Sequence, residues 1–172
     1  MRDANETEHR RKQVLAGAYL LRDASQQQNY LPGENVVHLF ATGAVVPEAI
    51  AAAEELAKEG VLVNVVNVTS PGHLFQRYQA SCKEALRGRK GPDVLAGVVP
   101  EAERQRAPIV TVIDGDAHAL AWIGGVLGCA TIPLGVSSFG QSGGLADLYQ
   151  EHQIDAQSIQ TACLAALEAA SV

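Results

Sequence analysis

The sequence predicts an α/β fold in which a mostly parallel sheet lies between two layers of helices. Strand-like apolar runs alternate with helix-like segments from about residue 36 onward. This spacing is typical of parallel strands joined by crossover helices. The run from Val61 to Val68 is almost continuously apolar, as expected for a central strand covered on both faces. At 172 residues, the chain fits one domain built around one core.

The N-terminal part of the chain precedes this alternation. Residues 1–13 are polar and charged and predict a helix-like arm, so we place the single domain at residues 14–172. Ala18 to Ala24 is predicted as a strand, and a polar loop with Pro32 and Gly33 follows it. Because this strand stands alone before the repeating pattern, we expect it at an edge of the sheet.

A strand-helix-strand unit comes next. The apolar run "VVHLFATG" predicts a strand, and a helix with one apolar face follows it. Pro47 near the start of this helix and Gly60 just after its end are the expected end signals. The strand from Val61 to Val68 completes the unit.

The later elements repeat the pattern. Two further strands, "APIVTVIDGD" and "CATIPLGV", flank a helix that Gly128 closes, and Asp155 is the predicted N-cap of a terminal helix. The helix after Pro71 has apolar residues at helical spacing, namely Leu74, Phe75, Tyr78, Cys82, Ala85 and Leu86. The residues expected to face the core from the terminal helix are Ile159, Cys163, Leu164 and Leu167.

Composition excludes several classes of protein. The formal net charge is −6 and no basic stripe with interleaved aromatic residues occurs, so we expect neither a nucleic-acid partner nor a membrane-surface partner. No apolar signal segment or run of membrane-spanning length is present. The three cysteines are far apart and odd in number, which argues against disulfides or a zinc site and favours a cytoplasmic location. We expect Cys82 and Cys163 to be inert core thiols.

The glycine-rich loop "GVSSFGQSGG", residues 135–144, is the best candidate for anion binding. Backbone N–H groups and the hydroxyls of Ser138 or Ser142 could hold a phosphate before a helix. Glycines before a helix also serve turning and close packing, and no lysine lies nearby. The turning role is therefore favoured. Neither a dinucleotide-binding GxGxxG nor a GxxxxGK[ST] motif occurs in the chain.

Other polar residues near strand ends do not combine into a recognisable catalytic motif. Asp114 and Asp116 follow a strand, but this run supplies too few oxygen ligands for a calcium loop. His73, His118 and His152 could act as acids or bases, yet none has an obvious nucleophile beside it in sequence. We assign no catalytic, cofactor-binding or metal-binding residue. The candidate cleft or entrance residues are Ser70, His73, Asp114, His118, Ser138 and Ser142.

The order of these segments resembles a known family. The stretch "VVHLFATGAVVPEAIAAAEELAKEGVLVNVVNVTSPGHLF" is similar to the C-terminal domain of the transketolase superfamily of thiamine diphosphate enzymes. "SSFGQSGGLADLYQEHQIDAQSIQTACLAAL" resembles the last segment of that domain. Three details, "RRKQVLAGAYLLRDA", "NVTSPGHLF" and "VLAGVVPEAERQRAPIVTVID", resemble the homodimeric first component of pyruvate dehydrogenase.

The resemblance implies a mixed sheet with one antiparallel edge strand, and a role as one part of an enzyme. In the superfamily, thiamine diphosphate and magnesium are held by a diphosphate-binding domain and a pyrimidine-binding domain. These domains are the implied partners, in a homodimer. The "IDGDAH" run does not match the family's metal motif, so no metal role passes to Asp114 or Asp116. The glycine-rich loop is then a packing turn with Phe139 as its anchor.

Three alternatives remain open at the level of sequence. The chain could be the C-terminal domain of transketolase proper, which moves two-carbon units between sugar phosphates. It could be a stand-alone binding or assembly module that keeps the fold without the chemistry. It could also be a small α/β enzyme using His73 or His118, although no nucleophile, base and orienting group can be named together.

Overall fold

One five-stranded sheet forms the centre of the computed structural model, which describes residues 4–100, 103–138 and 140–170. Its spatial order is β1-β3-β2-β4-β5. Strand β1 is antiparallel to β3, and the remaining pairs are parallel. The strands are β1 (Ala18–Arg22), β2 (Val36–Thr42), β3 (Leu62–Val68), β4 (Ile109–Ile113) and β5 (Thr131–Leu134). The α/β class and the edge position of the first strand are thus confirmed.

The helices connect these strands and flank the sheet. Pro47 lies in the first turn of α2, and Gly128 ends α5 in the left-handed conformation at φ 66°, so both end signals are confirmed. No helix in the described ranges is long and apolar enough to cross a membrane. The helices are α1 (Ala4–Ala16), α2 (Val46–Lys58), α3 (Pro71–Leu86), α4 (His118–Ala121), α5 (Ile123–Leu127), α6 (Leu145–Glu151) and α7 (Ala156–Ala170).

Strand β2 lies at the centre of the sheet and is buried along its whole length. Its side chains alternate between the two faces, as strand geometry requires. Leu39 faces a core that α2 and α7 cover, together with Val65 and Val110 from the neighbouring strands. Phe40 faces a second core that includes Leu74 of α3, Leu120 of α4 and residues of the 94–99 segment. The two cores produce the three layers.

Apolar periodicity did not always identify a buried face. In α3 only Leu74 is buried, while Cys82 is exposed and Leu86 is 88% exposed. In α7 Ile159 and Cys163 are buried, but Leu164 is 43% exposed. The predictions that Cys82 and Leu164 lie in the core were therefore wrong. Periodicity locates an apolar face without showing whether another layer covers it.

Two helix predictions also need correction. The single helix predicted between the strands now labelled β4 and β5 is divided at Trp122 into α4 and α5. At the start of α7, Asp155 does lie at the cap position, since its carbonyl accepts from the amide of Ile159. Its carboxylate atom Oδ1, however, is buried without a hydrogen-bond partner among the described residues. The amide of Ala156 donates instead to Glu48 of α2, at 2.9 Å.

Candidate functional site at the carboxyl edge of the sheet

The carboxyl ends of the parallel strands form one edge of the sheet, where ligands of α/β proteins usually bind. Strands β2, β3, β4 and β5 end there at Thr42, Val68, Ile113 and Leu134. The Thr42 hydroxyl donates to the carbonyl of Val68, at 2.6 Å, and so joins the ends of two neighbouring strands. All six candidate cleft residues follow these strand ends, but the structure divides them into two groups.

The first group surrounds the start of α3. Ser70 is the N-cap of this helix, and its hydroxyl accepts from the amide of His73 at 3.4 Å. His118 lines a concavity of about 340 Å³ that also includes Pro71 and Trp122. Ser70 therefore has a structural role in capping, which explains its position without a ligand.

His118 is paired with a carboxylate of its own loop. Its Nδ1 lies 2.7 Å from Oδ1 of Asp116, and its amide donates to the same oxygen at 2.9 Å. These two hydrogen bonds, the backbone one first, hold the pKa of Asp116 below its usual range. Both side chains are largely exposed, at 95% for His118 and 74% for Asp116. In the described part of the chain, no serine or cysteine forms a hydrogen bond with His118, so the pair lacks a nucleophile.

The second group lines a cavity of about 420 Å³ between the end of β4, the glycine-rich loop and α6. Asp114, Ser138, Ser142 and His152 border it, and Gln141, Tyr149 and apolar residues from the loop to Ile154 complete the wall. Ser138 accepts a hydrogen bond from the Gln141 side chain at 3.0 Å. The described wall therefore offers one carboxylate, two serine hydroxyls, the Tyr149 phenol, the Gln141 amide and one imidazole, and no carboxylate-imidazole hydrogen bond joins any of these groups.

Asp114 lies against the turn that follows β2. A Cβ atom at Gly43, where φ is +72°, would be only 2.7 Å from Oδ1 of Asp114. The Thr-Gly turn therefore needs its glycine both for backbone conformation and for space. Burial raises the pKa of Tyr149, and the charges of Asp114 and Glu48 raise it further. Tyr149 remains a neutral hydrogen-bonding group at physiological pH.

At the start of the glycine-rich loop, Gly135 packs closely against the loop that joins β4 to α4. A Cβ at Gly135 would lie 2.6 Å from the carbonyl oxygen of Gly115 and 2.7 Å from the amide of Ala117. The amide of Val136 donates to that same carbonyl at 2.8 Å. Further along, Gly140 has a positive φ of 104°. Phe139, the predicted anchor of the loop, lies outside the described residues.

Sequence reasoning missed a buried polar network at the opposite edge of the sheet. His38 of β2 and Asn64 of β3 are register partners, with 3.4 Å between Nδ1 and Nδ2. The Asn64 amide donates to the Tyr30 hydroxyl at 2.6 Å, and that hydroxyl donates to Glu103. Burial and the Glu103 carboxylate raise the pKa of Tyr30. The available signal was a polar residue inside each of two apolar runs, "VVHLF" and "LVNVV".

Comparisons with known proteins place the chain in a family. Residues 17–155 match the family described as transketolase-like TK C-terminal domain. The pyruvate dehydrogenase E1 component of Mycobacterium tuberculosis is 30% identical over 159 residues, which is 90% of this chain and 16% of that protein. A transketolase of Cereibacter sphaeroides is 42% identical over 84 residues, which is 48% of this chain and 11% of that protein.

Structural comparison agrees on the fold. Transketolase from Leishmania mexicana superimposes with a TM-score of 0.56 at 20% identity, covering 92% of this chain and 19% of that one. The chain thus spans less than a fifth of each of these relatives. Because the family match covers most of the chain, the protein belongs to the transketolase-like C-terminal domain family.

Proposed function

We propose that this chain is the C-terminal domain of a thiamine diphosphate-dependent 2-oxo acid dehydrogenase component that acts on pyruvate. The observation that carries the proposal is the alignment with a pyruvate dehydrogenase E1 component along 90% of the chain. The 42% identity to a transketolase covers only about half of the chain. A domain of a larger enzyme also agrees with a carboxyl-edge site that brings together no nucleophile, base and orienting group in the described ranges.

The proposed role is structural support of a catalytic assembly. The domain packs against a diphosphate-binding and a pyrimidine-binding domain, contributes surface to a homodimer, and shapes the active-site entrance with its carboxyl edge. The entrance residues would be Asp114, Ser138 and Ser142 of the 420 Å³ cavity, together with the group at the start of α3, which comprises Ser70, His73 and His118. A cytoplasmic location is part of the proposal and is supported by three free cysteines.

The complete enzyme would use thiamine diphosphate and magnesium, but the donors on this chain do not fit that group. The described residues contain no cluster of three or more His, Cys, Asp or Glu side chains that could hold a metal ion. Asp116 is engaged with His118, and Asp114 lies against Gly43. The proposal therefore assigns cofactor binding to the partner domains and no cofactor chemistry to this domain.

Transketolase proper is the second candidate, favoured by the 42% identical segment. The two are separated by isolating the native protein that carries this sequence, determining its mass and partners by mass spectrometry, and assaying it. Pyruvate-dependent reduction of an artificial electron acceptor supports the proposal. Transfer of two-carbon units from a ketose phosphate, without pyruvate activity, supports transketolase. A native 172-residue chain that co-purifies with neither partner domain contradicts both and leaves a stand-alone module.

The loop serines test whether the glycine-rich segment is a packing turn or a ligand site. We expect Ser138→Ala combined with Ser142→Ala to leave the KM of the complete enzyme within about twofold of wild type, since both side chains are exposed. Steady-state kinetics with pyruvate checks this expectation. A rise in KM of tenfold or more would show that these hydroxyls contact the substrate and would reverse the assignment.

A further inference from the structure

Helix α3 presents a largely exposed apolar stripe to solvent. Phe75, Tyr78, Cys82 and Leu86 follow one another at intervals of three and four residues, which places them on one face of the helix. Phe75 is 37% and Leu86 is 88% exposed, and Cys82 is exposed as well. We call these four residues the α3 stripe. Tyr78 is half-buried against the second core, but the described part of the chain leaves most of Leu86 and much of Phe75 and Cys82 open to solvent.

Aromatic side chains organise the N-terminal half of the stripe. The Tyr78 and Trp122 rings stack with centroids 5.3 Å apart, and Phe75 meets Trp122 edge to face at 5.2 Å. Beside them lies the 340 Å³ concavity, whose wall includes Phe75, Trp122 and Pro71. Rigid aromatic groups next to an apolar concavity are the usual anchors of protein interfaces.

The surroundings of the stripe carry the opposite charge from the rest of the chain. Residues 71–93 contain five Lys or Arg and two Asp or Glu, whereas the whole chain has a net charge of −6. Arg89 and Arg104 line a cavity of about 550 Å³ next to Tyr78, and each is paired with a carboxylate. Lys83 and Lys90 form no ion pair with any described residue. The stripe is thus apolar with an unneutralised basic rim.

From this combination we infer that the α3 stripe is a docking surface for a protein segment that presents apolar side chains flanked by carboxylates. An apolar side chain of the partner enters the concavity beside Trp122, and its carboxylates meet Lys83 and Lys90. A second copy of the chain is a poorer occupant, because its own stripe is flanked by an excess of Lys and Arg instead of carboxylates. The inference goes beyond the proposed function, since it needs the surface and no thiamine chemistry.

Two designed helical peptides with the same leucine seam test the inference, one flanked by glutamate and the other by lysine. Trp122 is the only tryptophan of the chain, so its fluorescence reports binding at the stripe directly. We expect the glutamate peptide to bind at least about tenfold more tightly than the lysine peptide. Its affinity should fall several-fold in about 0.5 M NaCl. Reversing the rim with Lys83→Glu and Lys90→Glu should invert the preference between the two peptides.

Surface variants test whether peptide binding is specific to the α3 stripe or is non-specific hydrophobic association. Leu86→Ser should weaken binding of the glutamate peptide several-fold, whereas Leu15→Ser, at another exposed leucine, on α1 (64% against 88% for Leu86), should leave binding unchanged. Far-UV circular dichroism confirms that each variant is folded. Equal binding of the two peptides, or equal loss in both leucine variants, overturns the inference. Sedimentation that shows a dimer of the wild type dissociated by Leu86→Ser also overturns it, in favour of a second copy.

Discussion

His38 shows how one buried side chain couples the fold to pH. Its Nδ1 faces the Asn64 amide, which donates to it, so the neutral ring carries its proton on Nε2. That atom lies 3.8 Å from Oε2 of Glu103 and is buried without a hydrogen-bond partner in the described structure. Burial lowers the pKa of His38 from 6.5 to about 4. The folded protein therefore holds this histidine neutral where an unfolded chain would protonate it.

The resulting prediction concerns the free energy of unfolding between pH 7 and pH 4. Because the folded pKa of His38 is below the unfolded one, its contribution is complete above pH 6.5. This contribution to the free energy of unfolding, about 3 kcal/mol in total, is lost as the pH falls toward 4. Urea denaturation at several pH values measures the slope, and His38→Gln should flatten it. His73→Gln, at an exposed position, is the control; an unchanged slope in His38→Gln would disprove the coupling.

At the scale of elements, Glu48 joins two helices that are far apart in sequence. Its carboxylate accepts from the first amide of α7, while Asp155 leaves a buried oxygen without a partner. We expect Glu48→Ala to lower the free energy of unfolding by about 1 kcal/mol, as loss of a helix cap does. Asp155→Ala should cost less. Chemical denaturation of both variants checks the order, and a larger loss for Asp155→Ala would restore the side-chain cap that the sequence predicts.

The glycine-rich loop gives a matched pair of substitutions. A Cβ at Gly135 would collide with backbone atoms of the β4–α4 loop, whereas the nearest atom to a Cβ at Gly143 would be 3.8 Å away. Gly135→Ala should therefore lower stability by about 1–3 kcal/mol, because backbone atoms have to shift. Gly143→Ala should stay within about 0.5 kcal/mol of wild type. Thermal unfolding distinguishes the two; equal effects would mean that the loop adapts freely around residue 135.

For the fold taken together, the alternation of strand-like and helix-like segments predicted the sheet. It did so because the residues within each segment determine its secondary structure. Pro47 and Gly128 mark helix ends through backbone geometry alone, and the edge position of β1 followed from its place before the repeat. Contacts between distant segments were not predictable in the same way. Tyr30, His38, Asn64 and Glu103 meet only after the sheet has formed, and the exposure of Leu164 depends on which layers surround α7.

The candidate site was likewise predictable only in part from the sequence. Sequence pattern placed all six cleft residues at the carboxyl ends of strands, because parallel strands share that edge. It did not predict that they form two groups, nor that Ser70 caps α3. It also missed His152 as a wall of the cavity that Asp114 and Ser138 line. These arrangements depend on how α3 and α6 pack beside the sheet, which apolar periodicity does not specify.

The predicted domain boundary can be tested by truncation. Among the described residues of the arm at 1–13, Arg10 donates to the carbonyl of Leu20 and Gln13 donates to that of Gly97. Deletion of the arm keeps the Val14 carbonyl, which accepts from Thr69, and leaves both cores intact. We expect a loss of about 1–3 kcal/mol, with a single cooperative transition in thermal and urea unfolding.

Deletion of α7 provides the contrasting control. Ile159, Cys163 and Ala166 are fully buried in the core that this helix covers, so the shortened chain should lose its cooperative transition and expose apolar surface to a hydrophobic dye. The two truncations remove segments of similar length. A difference between their effects on cooperative unfolding therefore reflects the burial of the removed segment and not the number of residues removed. If deletion of residues 1–13 also abolished cooperative unfolding, the arm would have to be counted as part of the domain. The boundary would then move from residue 14 to the start of the chain.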